Sequence, residues 1–312
     1  MEVIHNRDES VIINGPMGVG LGNFDGLHIG HMSLINTLIA ESRLYGLSSM
    51  IYTFSKHPEN ILRKKLFTPL LTTEKKKIEL LGETPLNYLF FDEFDEKFSR
   101  MLPESFVKDV LVDRLKIRLA VAGFDYRFGY RGLGNTNLLK QLGKLYNFKV
   151  IIIPPVKVDD EIVSSTLIRS CVAKGDMDKV FRLLGRHYSI TGEVQNGRRI
   201  GSKIGFPTAN IHPENYLILP QDGVYITKTL LNNMLYPSVT NIGKNPTFSE
   251  QKYISVETHI LDFDKDIYNE KIEVFFIAKI RGEVRFKGKD ELAAQIHKDI
   301  DAAREFFYFN RK

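Results

Sequence analysis

Cysteine is nearly absent from this chain of 312 residues, since Cys171 stands alone. An internal disulfide is therefore excluded, and so is a zinc cluster built on cysteine. No apolar run approaches the ~20 residues of a membrane-spanning helix. The N-terminus, Met1-Glu-Val-Ile-His-Asn-Arg-Asp8, is polar and lacks the apolar stretch of a secretory signal. These absences lead to the expectation of a soluble, cytoplasmic protein with no membrane partner. Internal repeats, low-complexity stretches and long basic tracts are also missing. The 43 Lys and Arg are interspersed with 38 Asp and Glu, and no basic and aromatic pattern marks a nucleic-acid groove. Nucleic acid is not an expected partner, and the net charge of +5 suits anionic small substrates.

The chain is long enough for two cores. Its first half alternates strand-like runs (48–54, 86–91, 118–122 and 149–153) with stretches of helical apolar spacing (31–45, 72–81, 103–116 and 135–147). This rhythm predicts α/β architecture, a parallel sheet covered on both faces. Near Gly185 the rhythm changes. Runs at 188–194, 223–230, 235–242, 253–261 and 271–280 follow one another with turn residues and no helices between them. Within one of them Ile254, Val256, Thr258 and Ile260 fall on one face, while Ser255, Glu257 and His259 fall on the other. A small antiparallel β-barrel is expected, closed by a helix over 289–307 with Leu292, Ile296, Ile300 and Ala303 on its apolar stripe. The domains are accordingly 1–185 and 186–312.

The segment Gly20-Leu-Gly-Asn-Phe-Asp-Gly-Leu-His-Ile-Gly-His31 joins a short apolar run to a helical pattern. It is neither a GxxxxGK[ST] loop nor a GxGxxG fingerprint. Glycines, two histidines three residues apart and a following helix suit a phosphate site, where backbone N–H groups and imidazoles meet an anion at a helix N-terminus. Asn23 can donate an amide hydrogen bond, and Gly26 and Gly30 allow close backbone approach. A metal site using His28 and His31, or a structural turn, remains open at this level. Beyond a strand end lies Gly123-Phe-Asp-Tyr-Arg-Phe-Gly-Tyr-Arg-Gly-Leu-Gly134, where open parallel sheets hold ligands. Tyr126, Phe128 and Tyr130 offer planar surfaces and Asp125, Arg127 and Arg131 offer charge, although the aromatics could equally fill a loop. In Ser164-Ser-Thr-Leu-Ile-Arg169 the hydroxyls, Ser164 and Thr166 among them, can cap a helix, with Arg169 one turn later to meet a phosphate.

In the second half, Gly192 to Asn210 carries a glycine-rich run containing Gly201, Lys203 and Gly205, ending in Gly-Phe-Pro-Thr-Ala-Asn210. Thr208 and Asn210 are two residues apart and can face the same magnesium ion or phosphate; the alternative is a tight hairpin. Glu257, on the polar face of its strand, can orient a hydroxyl and take its proton, or simply be a solvated charge.

Three ordered motifs of the first half resemble the adenylyltransferase part of the prokaryotic bifunctional riboflavin kinase/FAD synthetase family. They are Asn23–His31, Gly123–Gly129 and Ser164–Arg169. The GFPTAN segment, Val256–Ile260, Asn245–Phe248, Asp266–Asn269, and Arg281 with Glu283 and Phe286 resemble its kinase part. The resemblance implies a Rossmann-like nucleotidyltransferase domain followed by a six-stranded antiparallel barrel. It implies that His28, His31 and Arg169 are catalytic in adenylyl transfer to FMN, with Asn23 positioning the triphosphate. It assigns Thr208 and Asn210 to Mg2+ and ATP, and Glu257 to activation of the riboflavin 5′-hydroxyl. Riboflavin, FMN, FAD and ATP are then substrates or products. A monomer is expected, with transient self-association as the alternative. Lys56, Ser202 and Gly282 depart from the family pattern, as does the order around Arg131. This leaves two other readings, a single competent site or a flavin- or nucleotide-binding regulator without turnover.

Overall fold

Apolar runs separated by amphipathic stretches fold into a parallel sheet, as their spacing requires. The structure, a computed structural model, describes residues 1–6, 15–55, 68–195, 205–244 and 254–310. The chain divides into two units, Met1–Ser165 and Thr166–Lys312. The first holds strands β1 (Glu2–His5), β2 (Met17–Leu21), β3 (Ser48–Phe54), β4 (Tyr88–Asp92), β5 (Ile117–Gly123) and β6 (Lys149–Ile153). They form one sheet in the order β1-β4-β3-β2-β5-β6, every neighbouring pair parallel. From β2 the chain builds outward through β3 to β4, then returns to place β5 on the other side of β2. The strand order therefore reverses between β2 and β5, and open α/β sheets hold ligands outside the strand ends at such a point. The loops that leave β2 and β5 are the 22–31 and 123–134 segments.

Helices α1 (Ile29–Leu44) and α2 (Glu74–Gly82) cover one face, with Leu34, Ile35, Leu38 and Leu81 in a core with Ile51, Leu89, Leu119 and Val121. A π-helical segment, Phe106–Arg114, and helix α3 (Thr136–Leu145) cover the other with Phe106, Val107 and Leu139 against Met17, Val19 and Tyr52. The sequence predicts one helix over 103–116. Instead the backbone widens after a single turn at Pro103–Ser105, and the Leu115 N–H reaches back five residues to the Val110 carbonyl. Glycines in β2 serve packing. A Cβ on Gly20 would lie 2.7 Å from Ile51 Cδ1 and 3.0 Å from Leu34 Cδ2, so its absence lets α1 close on the sheet. β1 is only four residues long, too short for a periodic signal. A small hairpin, β7 (Lys157–Val158) and β8 (Glu161–Ile162), follows β6.

Helix α4 (Ser165–Lys174) leads into α5 (Met177–Leu184), which ends at Gly185 in the left-handed conformation, φ 72°. Strands β9 (Tyr188–Gln195), β10 (Ala209–Ile211), β11 (Gly223–Leu231), β12 (Met234–Lys244), β13 (Ile254–Ile260) and β14 (Lys271–Arg281) then close into an antiparallel barrel, in the order β10-β13-β12-β11-β14-β9. The fold is thus mixed α/β with a closed six-stranded barrel. Helix α6 (Lys289–Phe309) lays Ile300 and Ala303 against Val224, Ile226 and Val239. It is fixed there by buried Asp299, which accepts hydrogen bonds from Arg281 Nε at 3.0 Å and Nη2 at 2.8 Å. Val256, Thr258 and Ile260 are buried, as the alternation requires. Five buried hydroxyls cross three strands of the barrel in one chain. Thr258 meets Thr240 at 2.9 Å; Thr240 meets Thr227, Thr227 meets Ser238 and Ser238 meets Thr229, each at 2.8 Å.

Candidate active sites

The loop after β2 turns sharply. Phe24 (φ 49°), Gly26 (φ 83°) and Leu27 (φ 43°) all occupy the left-handed region, a conformation costing about 1–3 kcal/mol for a residue with a side chain. Burial offsets it, because the Phe24 and Leu27 side chains lie fully in the core, each worth about 1.5–3 kcal/mol. The turn delivers His28 as the N-cap of α1. Its Nδ1 accepts from the His31 N–H at 3.2 Å. In the neutral ring the proton is therefore assigned to Nε2, which is left as a donor. The His28 and His31 rings stack at 3.6 Å, and His31 lies 5.2 Å from the Phe24 ring. A Cβ on Gly30 would lie 3.1 Å from His28 Nδ1, so this glycine makes room for the imidazole. Two imidazoles at the positive end of a 16-residue helix are an arrangement whose chemistry suits an anion. Among the described residues no group of three or more His, Cys, Asp and Glu side chains could hold a metal ion.

The loop is held from behind. Lys77 Nζ on α2 donates to the Asn23 carbonyl at 2.9 Å, as does Thr53 Oγ1 on β3 at 3.1 Å. The buried Asp25 carboxylate accepts from Leu71 N at 3.0 Å and Thr72 N at 3.2 Å. Gly26 N–H donates to Thr72 Oγ1, and Ser165 Oγ donates to the Asp25 carbonyl at 2.8 Å. Asn23 itself is exposed. Asp25 and Ser165 fall inside motifs that the sequence displays, whereas Thr72 and Lys77 come from a distant segment, and the local pattern of a turn does not reveal such anchors.

In the 123–134 loop Asp125 is exposed, whereas the Phe128 ring is buried, stacked on Tyr126 at 5.6 Å and tilted against Phe106 at 5.8 Å. Phe128 and Gly134 exchange backbone hydrogen bonds, and Gly129 and Arg131 have positive φ. On α4, Ser164 precedes the helix, Thr166 is exposed and Arg169 is half-buried. Lys56 lies outside the described residues.

In the barrel, register assembles the second site. Asn210 on β10 pairs with Glu257 on β13, which pairs with Asn241 on β12. Directly paired residues project from the same face, so the three stand abreast on the face opposite the inward-pointing Val256 and Thr258. Thr208 immediately precedes β10, two residues before Asn210. Glu257 Oε1 accepts from Ser255 Oγ at 3.4 Å. Pro207 is anchored through its carbonyl to His259 Nδ1 at 2.8 Å, and Phe206 is buried edge-on against His297 at 4.8 Å. Gly205 has φ 91°. A hydroxyl, an amide and a carboxylate are hard oxygen donors that suit Mg2+ shared with a phosphate. Asn241 carries no local motif, and only its pairing with Glu257 brings it to the site. Gly201, Ser202, Lys203 and Asn245–Phe248 lie outside the described residues.

Comparison with known proteins matches the two halves of the chain to two families. Residues 12–167 match the FAD synthetase family and residues 184–307 match the riboflavin kinase family. A bifunctional riboflavin kinase/FMN adenylyltransferase of Buchnera aphidicola (Schizaphis graminum) is 37% identical, over 97% of each chain. The protein of the same description from Escherichia coli K12 is 35% identical over 92% of this chain and 91% of its own. A crystal structure from Streptococcus pneumoniae, described as a macrolide-efflux protein, superposes with a TM-score of 0.88 at 28% identity, covering 97% of this chain and 98% of that one. Among the described residues of this chain, no helix is long and apolar enough to cross a membrane. With both family matches in order and near-full-length relatives above 30% identity, the chain belongs to the bifunctional riboflavin kinase/FMN adenylyltransferase family.

Proposed function

We propose that this chain carries out both reactions of its family, phosphorylating riboflavin to FMN in the segment 186–312 and adenylylating FMN to FAD in the segment 1–185. The observation that supports this most directly is the placement of the two motif sets on two separately built scaffolds, a helix N-terminus in one and a strand register in the other. In the kinase reaction the riboflavin 5′-oxygen attacks the γ-phosphorus of ATP, the bond to the β-phosphate oxygen breaks, and ADP leaves. Glu257 takes the hydroxyl proton, and Thr208 and Asn210 hold the nucleotide end. Magnesium bound with ATP by those two side chains would neutralise phosphate charge. Gly201, Lys203 and Gly205 belong to the loop proposed to wrap the phosphates.

In the second reaction a phosphate oxygen of FMN attacks the α-phosphorus of ATP, and the bond to the departing pyrophosphate breaks. No protein nucleophile is required, because the FMN phosphate is already anionic. His28 and His31 stabilise charge on the transferring phosphoryl group, Arg169 neutralises the triphosphate, and Asn23 and Gly30 shape the cradle. Asp125, Ser164 and Thr166 complete the binding residues, and the buried Phe128 ring shapes their loop from within. The working protein is a cytoplasmic monomer whose partners are flavins and ATP.

Incubating the protein with Mg-ATP and riboflavin, and separately with Mg-ATP and FMN, tests the reading by chromatography of the flavins. FMN preceding FAD in the first reaction and FAD forming in the second is expected. H28A should suppress FAD formation with FMN formation retained, and E257A should do the reverse. Equal loss of both activities in well-folded variants would overturn the separate assignments, and binding of flavin or ATP without product would favour a regulator.

A further inference from the structure

Lys77 is the second candidate in importance after the histidines, although it stands behind the loop rather than in it. It lies on α2 with 7% of its surface exposed. Its ammonium donates to the Asn23 carbonyl at 2.9 Å and approaches Thr53 Oγ1 at 3.5 Å, and it sits 5.8 Å from the centroid of the Phe91 ring. Asn23 immediately precedes the strained Phe24, and a backbone held in a sparsely populated conformation persists only where its surroundings over-determine it. We infer that Lys77 is a positioning residue for adenylyl transfer, whose charged ammonium fixes the Asn23 carbonyl and thereby the phosphate-facing conformation of residues 23–28. This inference rests on the assignment of adenylyl transfer to the first unit.

The surroundings make the charge conditional. Burial pushes the Lys77 pKa down to about 8, against the opposing pull of Asp25 from the loop and Glu74 from one turn earlier on α2. His5 of β1 faces the same group of side chains, with its Nε2 3.8 Å from Glu74 and its ring stacked on Phe91. The positive charge that grips the carbonyl is therefore present at neutral pH and lost as pH rises through about 8. Because the folded protein holds this proton less tightly than the unfolded chain, the buried charge works against stability at neutral pH. A lysine kept only for stability would not be placed this way.

The test compares wild type with K77M and E74Q, measuring FAD formation from FMN and Mg-ATP between pH 6 and 9.5, FMN formation from riboflavin over the same range, and Tm. Wild-type FAD formation should decline above about pH 8. K77M should lose about tenfold or more of FAD formation at neutral pH, the effect of one charge-assisted hydrogen bond, and should show no such decline above it. Its FMN formation should match wild type, and its Tm should be equal or higher. E74Q, a change at a partly exposed carboxylate, should move the wild-type decline to lower pH. Wild-type FAD formation in K77M, an unchanged alkaline profile in both variants, or parallel loss of Tm and both activities in K77M together with an unmoved E74Q profile would overturn the inference. Absence of FAD from the wild-type reaction would instead overturn the assignment on which it rests.

Discussion

Replacing Gly30 by alanine separates the stability of α1 from the chemistry at its N-terminus. The new Cβ would stand 3.1 Å from His28 Nδ1 and 3.2 Å from Cε1. Comfortable contact begins at about 3.5 Å, so the imidazole must yield by about a third of an ångström. It cannot yield alone, because His31 lies on its face at 3.6 Å and the His31 N–H is bonded to its Nδ1. Two stability effects oppose each other. Alanine for glycine in a helix gains up to about 1 kcal/mol, and weakening the N-cap costs about 1 kcal/mol, so Tm should change by no more than a few degrees. Catalysis has no such compensation. Misplacing a catalytic group by 1 Å costs on the order of a hundredfold, so a third of that shift, scaled in the barrier, costs about fivefold. Steady-state FAD formation should fall by about that factor while FMN formation in the same sample stays at the wild-type rate. Wild-type FAD kinetics together with a raised Tm would refute the reasoning, since they would mean that the ring has room and the glycine serves only the backbone.

The barrel offers two stability predictions. T240V removes the second hydroxyl of the buried chain, breaking the bonds to Thr227 and Thr258; urea denaturation should show a loss of about 1–3 kcal/mol, the cost of an unsatisfied buried polar group. T240V/T258V should lose less than the sum of its single variants, because the stranded partner goes with it. D299A leaves Arg281 facing a buried site without its carboxylate, a loss of about 3–5 kcal/mol. On stepwise heating it should forfeit FMN formation at a lower temperature than wild type, read by residual activity.

Much of this arrangement is legible in the chain because periodicity acts locally. The alternation around Glu257 puts it on the face opposite Val256 and Thr258, and the structure places Asn210 directly across from it. The parallel sheet, the barrel and the terminal helix follow from the same kind of signal. The supports of the 23–28 loop do not. Lys75, Lys76 and Lys77 stand in a row on one helix, yet Lys76 pairs with Glu79 while Lys77 turns into the protein. Which of three like residues is buried depends on where α2 lands on the sheet, and no local pattern encodes that. Gly20 hides its role for a related reason, since nothing local shows that its missing Cβ accommodates Leu34 and Ile51. Phe128 shows the same ambiguity, because a ring at a ligand-side loop and a ring filling that loop have the same sequence signature, and here the ring is buried against Phe106.

The two sites therefore achieve precision by different physical means. In the barrel, Asn210, Glu257 and Asn241 are aligned by ladder register alone, and the alignment is as robust as the sheet. A one-residue slip in β13 would turn Glu257 inward and Thr258 outward, so the site is either present or lost. The adenylyl-transfer loop is held instead by the Thr53, Lys77 and Ser165 side chains and by the Leu71 and Thr72 backbone N–H groups, which together fix a turn that the backbone would not adopt unaided. Removing one anchor leaves the others in place, so that site should degrade by degrees. Its geometry responds to the protonation of one buried amine, whereas the barrel register rests on backbone hydrogen bonds, which do not titrate. Graded sensitivity in one reaction and all-or-none sensitivity in the other is what a strained loop and a hydrogen-bonded sheet should produce when they share a chain.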